Sequence, residues 1–195
     1  MEALNEVNER PQYLSFFLGD EEYALEILRV KEIIEYKRVT KVPSTPRHVR
    51  GVINLRGSVI PVVDLGAKFG LDHTQVSKWT CIVITEVQLD DTERTVMGVM
   101  CDRVSDVIEL AESDIEEVPE FGARIRVECL KGMGKIDGRL SMLLDIDQIL
   151  SNDEIVALSE LDESDLEKLE ASSDEEEDEA EAAASEGVSE EASPA

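Results

Sequence analysis

The chain repeats itself. Arg29-Val30-Lys31-Glu32-Ile33-Ile34-Glu35 returns 74 residues later as Arg103-Val104-Ser105-Asp106-Val107-Ile108-Glu109. Val42-Pro43 returns as Val118-Pro119 at an offset of 76, and Gly51, Gly57, Asp64 and Leu65 return as Gly132, Gly138, Asp145 and Ile146, each 81 residues on. Apolar positions between them keep the register: Leu55 with Ile136, Val59 with Leu140, Val62 with Leu143. One block could arise by chance. Three in the same order imply two copies of one small unit, each about 65–70 residues long.

Both copies read as β structure. Strands are expected at residues 12–18, 22–27, 51–55, 59–64, 80–87, 95–101 and 140–145, where β-branched and aliphatic residues are punctuated by Gly and Pro. Tyr23, Leu25 and Ile27 alternate with Ala24 and Glu26, so they are expected on one face. Gly19-Asp20 and Asp90-Asp91 are turn signals. Short helical turns are expected at 28–34, where Val30, Ile33 and Ile34 follow i, i+3, i+4, and at 65–69 and 146–150. A unit of this size with several short strands closes most simply into a small barrel, because closure removes exposed edges. The paired glycines suit that geometry, one at a bend or close backbone approach and one at a strand-joining turn. Alone, such a unit is marginal; two packed together share a core and leave a cleft between them. The expected division is a first barrel over about 12–79 and a second over about 80–150.

Charge separates the rest of the chain from this pair. Residues 151–195 hold 18 Asp and Glu against the single base Lys168, whereas the first 150 carry a net charge of −9 out of the total of −26. Residues 171–195 contain no aromatic residue and are expected to be disordered, while 155–169 has Ile155, Leu158, Leu161, Leu166 and Leu169 at spacings that permit a marginal amphipathic helix. Residues 1–11 read as a frayed leader. So negative a field disfavours nucleic acid and anionic membrane surfaces. No apolar run reaches the roughly 18–20 residues of a spanning helix, and Met1–Glu6 lacks the parts of a signal peptide. Cys81, Cys101 and Cys129 are an odd number without metal spacing, each among apolar residues, as expected of buried free thiols in a reducing cytosol.

Candidate chemistry reduces to structural explanations. His48 and His73 have no Cys, Ser or His at a triad or ligand spacing and read as solvated loop histidines. Lys131-Gly132-Met133-Gly134-Lys135 lacks the gap and the Ser/Thr of a phosphate loop, and the repeat makes Gly132 a barrel position. Asp145 matches Asp64, so a turn or helix cap outweighs acid–base pairing with Asp147. The run from Asp174 to Glu181 reads as solvated charge rather than a metal cage. Neither a catalytic group nor a cofactor is expected, which points to a binding module.

One stretch then resembles a known family. Asn54-Leu55-Arg56-Gly57-Ser58-Val59-Ile60-Pro61-Val62-Val63-Asp64-Leu65 is similar to the N-L-R-G-x-x-x-P-V-x-D-L signature of the CheW-like domain. Leu18–Ile27 resembles that domain's opening strands, and Thr45-Pro46 with Val49-Arg50-Gly51-Val52, and Asp102–Val107 with Pro119-Glu120-Phe121, match as well. The resemblance covers about residues 12–150. It implies two SH3-like five-stranded barrels, in agreement with the repeat. It also implies a non-enzymatic, cofactor-free cytoplasmic adaptor that joins chemoreceptor tips to the regulatory domain of the histidine kinase CheA. The chain is too short to add a kinase or a receiver, so a standalone coupling protein, monomeric until it enters arrays, is expected. The alternative is the same adaptor role in another chemosensory pathway, such as surface motility. An enzyme or phosphatase regulator would need convergent polar groups in the inter-barrel cleft.

For receptor binding the resemblance points to Val30, Glu32, Ile33 and Arg56, with Val104 and Val107 in the second copy. A receptor tip is a helical bundle, so Val30 and Ile33, one helical turn apart, would be anchors, and Glu32 with Arg56 a charge pair at the rim. Because Val30, Ile33, Val104 and Val107 are repeat equivalents, a barrel-core role competes. Arg56 has Asp137 as its counterpart, so the fold does not demand arginine there. For kinase binding the candidates are Gly51, Val52 and the turn Gly57, Ser58, Val59 and Ile60, where a bare backbone and small apolar groups permit close approach.

Overall fold

The computed structural model describes residues 10–88, 94–118, 129–136, 138–150 and 154. The expected Asp90-Asp91 turn, the leader up to residue 9, the Pro119–Phe121 motif, the 155–169 helix and the acidic tail lie outside these residues. The described strands are β1 (Gln12–Leu18), β2 (Glu21–Glu26), β3 (Val30–Glu35), β4 (Val49–Leu55), β5 (Ser58–Asp64), β6 (Cys81–Gln88), β7 (Arg94–Cys101), β8 (Arg103–Glu109), β9 (Ile115–Glu116), β10 (Leu130–Ile136) and β11 (Arg139–Leu144). One helical turn, α1 (Leu65–Lys68), follows β5, and the corresponding Ile146–Gln148 after β11 is a 3₁₀ turn.

The strands form two β subdomains, ordered β8-β1-β2-β11-β10-β9 and β3-β6-β7-β5-β4. The repeat explains both orders. Copy one supplies β1 to β5 and copy two supplies β6 to β11, and each copy gives its leading hairpin to the other copy's sheet. The joins are parallel: β5 runs beside β7 with Val62 opposite Gly98, and β11 beside β2 with Met142 opposite Tyr23. Neither sheet therefore comes from one half of the chain, and the expected sequential division at residues 79/80 gives way to an interleaved one. Each sheet also curls until its ends meet. Beyond β3, Thr40 and Val52 of β4 exchange both backbone hydrogen bonds, at 2.9 and 2.8 Å. Beyond β8, β9 pairs with β10 in the same way.

Closure depends on the repeated glycines. Gly51 has φ +137°, and a Cβ there would lie 2.0 Å from the Thr40 carbonyl oxygen. At Gly132 it would lie 2.6 Å from Ile115 Cγ2. Both are the same point of strand crossing in the two subdomains, so Gly132 is indeed a strand position rather than part of a phosphate loop.

Three apolar clusters follow. One fills the β3–β7 subdomain with Ile53, Ile60, Val62, Ile82, Ile84 and Met100; its counterpart in the other holds Tyr13, Ala24, Leu110 and Leu143. The largest lies between the sheets and includes Phe16, Tyr23, Leu25, Phe69, Val83, Met97 and Val99. Each leading hairpin is thus buried on both faces. In β6, Ile82 and Ile84 enter the subdomain interior while Val83 and Val87 enter the shared core. Tyr23 and Leu25 share a face as expected, but Ala24 on the other face is just as buried.

The largest correction concerns residues 28–34. Only Ile27–Arg29 form a helical turn, of 3₁₀ type; Val30–Glu35 is a strand hydrogen-bonded along β6. A short run with three β-branched residues, Val30, Ile33 and Ile34, satisfies helical and extended periods alike, and pairing with an open strand decides it. The turn at α1 is as expected, with Asp64 as its N-cap accepting the Ala67 N–H at 3.2 Å; Asp145 likewise caps the second turn. Cys101 and Cys129 are buried and Cys81 is half-buried, and none of the three is in a disulfide.

Candidate functional site

β3 and β8 are equivalent outer strands, and their side chains sort into two sets. Val30 and Val104 are half-buried and pack against the shared core, as the barrel-core explanation requires. Ile33 and Val107, also equivalent, face solvent, at 43% and 47% exposure. β3 shifts register between Val30 and Glu32, so Val30 lies opposite Thr85 and Ile33 opposite Val83. The two stand on an extended strand, one half-buried and one exposed, and do not form the helical anchor pair expected from the sequence.

Glu32 and Arg56 do meet. Arg56 Nη2 donates to Glu32 Oε2 at 2.9 Å from a side chain that is 77% exposed. The backbone makes Arg56 an unusual choice. It sits with Gly57 in the two-residue turn between paired Leu55 and Ser58, and both have positive φ, +56° and +87°. This is the geometry of a type I′ hairpin, which favours Asn-Gly or Asp-Gly. The second copy has the preferred Asp137-Gly138 at this point. Asn54 Oδ1 supports the first turn by accepting the Gly57 N–H at 2.9 Å. Arg56 is thus held in the left-handed region, exposed and paired to a neighbouring strand, and the turn itself does not call for arginine there.

The residues expected on the kinase side divide. Val52 is fully buried, Gly51 is pressed against Thr40, and Ile60 fills the subdomain interior, so these three are structural and not contact residues. They are small or apolar because strand closure and interior packing require it. Gly57 and Ser58 are exposed and Val59 is half-exposed at the hairpin tip, directly beside Arg56. Further exposed apolar side chains were not among the expected contact residues: Leu28 on the 3₁₀ turn, Leu140 on β11, and Val76 and Trp79 in the loop before β6. Leu140 is the repeat partner of Val59, and extending the repeat to the site residues would have found it.

Neither histidine is the solvated loop residue expected. His73 Nε2 accepts from Arg47 Nε at 3.0 Å, and its Nδ1 lies 3.2 Å from Asp64 Oδ2. Asp64, fully buried, also accepts from Thr74 N–H and Oγ1 at 3.2 and 3.1 Å, and so ties the following loop to its cap. The D of the signature motif is a structural hub. The cleft between the subdomains, about 460 Å³, is bordered by Asp20, Asp72, His73, Thr74 and Asp102. Its polar groups are largely taken up internally: Asp102 Oδ2 accepts the Gly19 N–H at 2.5 Å, and His73 and Thr74 bond to Asp64.

His48 lies 2.8 Å from Glu154 Oε1, with Lys68 Nζ 3.2 Å from the ring and 3.4 Å from Glu154 Oε2. Burial, reinforced by Lys68 and opposed by Glu154, holds its pKa below the ordinary 6.5. A depressed basic group binds fewer protons folded than unfolded, so its contribution to stability is present above pH 6.5 and is lost as pH falls through that value towards the lower folded pKa. His48→Gln should therefore flatten part of the decline in stability between about pH 7 and 5.5, as urea unfolding across that range would show. An identical slope in both proteins would contradict the assignment.

Comparison with known proteins decides the family. The model of the CheW-like domain matches residues 12–154. The chain belongs to the CheW-like domain family. Among family members, Chemotaxis protein CheW of Klebsiella aerogenes is 38% identical over 144 residues, 74% of this chain and 84% of the relative. The Chemotaxis protein CheW of Helicobacter pylori is 37% identical over 142 residues, covering 73% and 82%. A crystal structure of the family's scaffolding protein TtCheW from Thermoanaerobacter tengcongensis superposes with a TM-score of 0.68 at 28% identity, covering 79% of this chain and 96% of that one. Among the described residues no helix is long and apolar enough to cross a membrane.

Proposed function

We propose that this chemotaxis scaffold joins the cytoplasmic tips of chemoreceptors to the regulatory domain of the histidine kinase CheA, and that it works in the cytoplasm without catalysing a reaction. The observation that carries the reading is the exposure of Ile33 beside the Glu32–Arg56 pair, with Val107 repeated on the equivalent strand. These apolar groups contribute little to the core and stand on rigid strands, as anchors for a helix face should. The charge pair at the rim sets register more than strength. Arg56 and Glu32 belong to the receptor side together with Ile33 and Val107, while Val30 and Val104 support them from beneath. Gly57, Ser58 and Val59 at the hairpin tip serve the kinase. Both surfaces then meet at one hairpin, which suits a part that transmits a change in one partner to the other.

Ile33→Asp and Val107→Asp place a charge where a helix should dock while leaving the folded core untouched. Each should weaken binding to receptor-tip fragments about tenfold, roughly 1.4 kcal/mol, with melting temperature and CheA affinity close to those of the parent. Calorimetric titration against each partner separately reads this. Undiminished receptor binding by both variants would reject the assignment of this face.

A further inference from the structure

We infer that the acidic segment 171–195 of this chain covers a basic groove between β3 and β4, as an intramolecular counter-charge. In a protein of net charge −26, the stretch from Tyr36 to Val63 has no acid at all and carries Lys37, Arg38, Lys41, Arg47, Arg50 and Arg56. Part of it folds into a groove of about 440 Å³ whose charged rim is Lys41, Arg47 and Arg50, over Val39, Val42 and Pro46. Asp64 lies 3.9 Å from Arg50 and offsets part of that charge from below, but Lys41 and Arg47 are exposed.

The occupant follows from where the described chain ends. Glu154 is bonded to His48 and Lys68, and His48 is next to Arg47, so the C-terminal segment departs beside the groove. Residues 171–195 carry ten Asp and Glu and no Lys or Arg. The intervening 16 residues reach up to about 55 Å when extended, far more than the crossing requires. Tethering supplies a high effective concentration, so even weak ion pairing is sufficient for occupancy. Any acidic segment of a partner that used this groove would first have to displace the tail.

Carbodiimide coupling of the full chain, which joins a carboxylate to a lysine amine with loss of water, reads this directly. At about 50 mM salt, peptides linking residues 174–191 to Lys41 should exceed those to the exposed Lys78 and Lys135 several-fold, and the excess should vanish near 1 M salt, where screening extends only about 3 Å. Arg47→Glu should lower the Lys41 link several-fold. If that variant loses its fold, neutralising Asp174 to Glu179 as Asn and Gln should lower the links from Glu186, Glu190 and Glu191 instead. Even yields over all exposed lysines, or salt-independent links, would overturn the proposal. So would Lys41 links found only between isotopically distinct copies, which would make a second copy the occupant.

Discussion

Replacing Tyr23 with alanine is expected to destabilise the protein by about 3–5 kcal/mol, and to do so for both subdomains in one transition. Tyr23 is fully buried in the shared core. Its ring stacks between Phe16, with centroids 6.1 Å apart, and Phe69, at 5.7 Å. Its hydroxyl donates to Glu21 Oε2 at 2.8 Å. Truncation removes the ring and leaves a cavity lined by rigid strands that cannot collapse into it. The single transition is the more discriminating part. Each sheet contains a hairpin from the other copy, so unfolding one copy removes strands from both sheets. Urea unfolding followed by circular dichroism and by the fluorescence of Trp79, the one tryptophan, should coincide for parent and variant. Two separated transitions would contradict the interleaved topology.

Arg56 separates folding from function more sharply. Arg56→Asn keeps the turn and substitutes a residue that tolerates positive φ, so its melting temperature should equal or exceed that of the parent. Arg56→Glu sets a second carboxylate against Glu32, at an exposed position where the stability cost stays below about 1 kcal/mol. Receptor-tip binding should run the other way. The asparagine variant should weaken it, and the charge reversal should weaken it by about tenfold or more. Binding that followed melting temperature across the series would make Arg56 a structural residue.

The all-β class, the duplication and most strand positions were legible because glycine spacing and apolar alternation are local signals. The exchange of hairpins was not, since it depends on which of two nearly equivalent partners β1–β2 and β6–β7 choose, and both copies carry the same pattern. Residues 28–34 failed for a related reason: Val30, Ile33 and Ile34 fit a helix until β6 supplies a strand to pair with. Among candidate contact residues, the repeat alone could not separate Ile33 from Val30, because both recur; only the packing of Val30 against the shared core, with Ile33 left exposed, tells them apart. His48 and His73 were misread because their partners, Glu154, Asp64 and Arg47, lie far away in sequence or across a loop. The signature motif mixed two kinds of residue. Asp64 and Ile60 hold the fold, while Arg56 is a departure from what the turn prefers.

The central claim is that this chain bridges two proteins. Sedimentation of receptor-bearing membranes with CheA, with and without the chain, tests it most directly. The account predicts that CheA enters the pellet in proportion to added chain, that its autophosphorylation then follows receptor ligand, and that Arg56→Glu leaves CheA in the supernatant bound to the chain. CheA that pellets equally well without the chain, or that remains in the supernatant with the parent chain present, would contradict it.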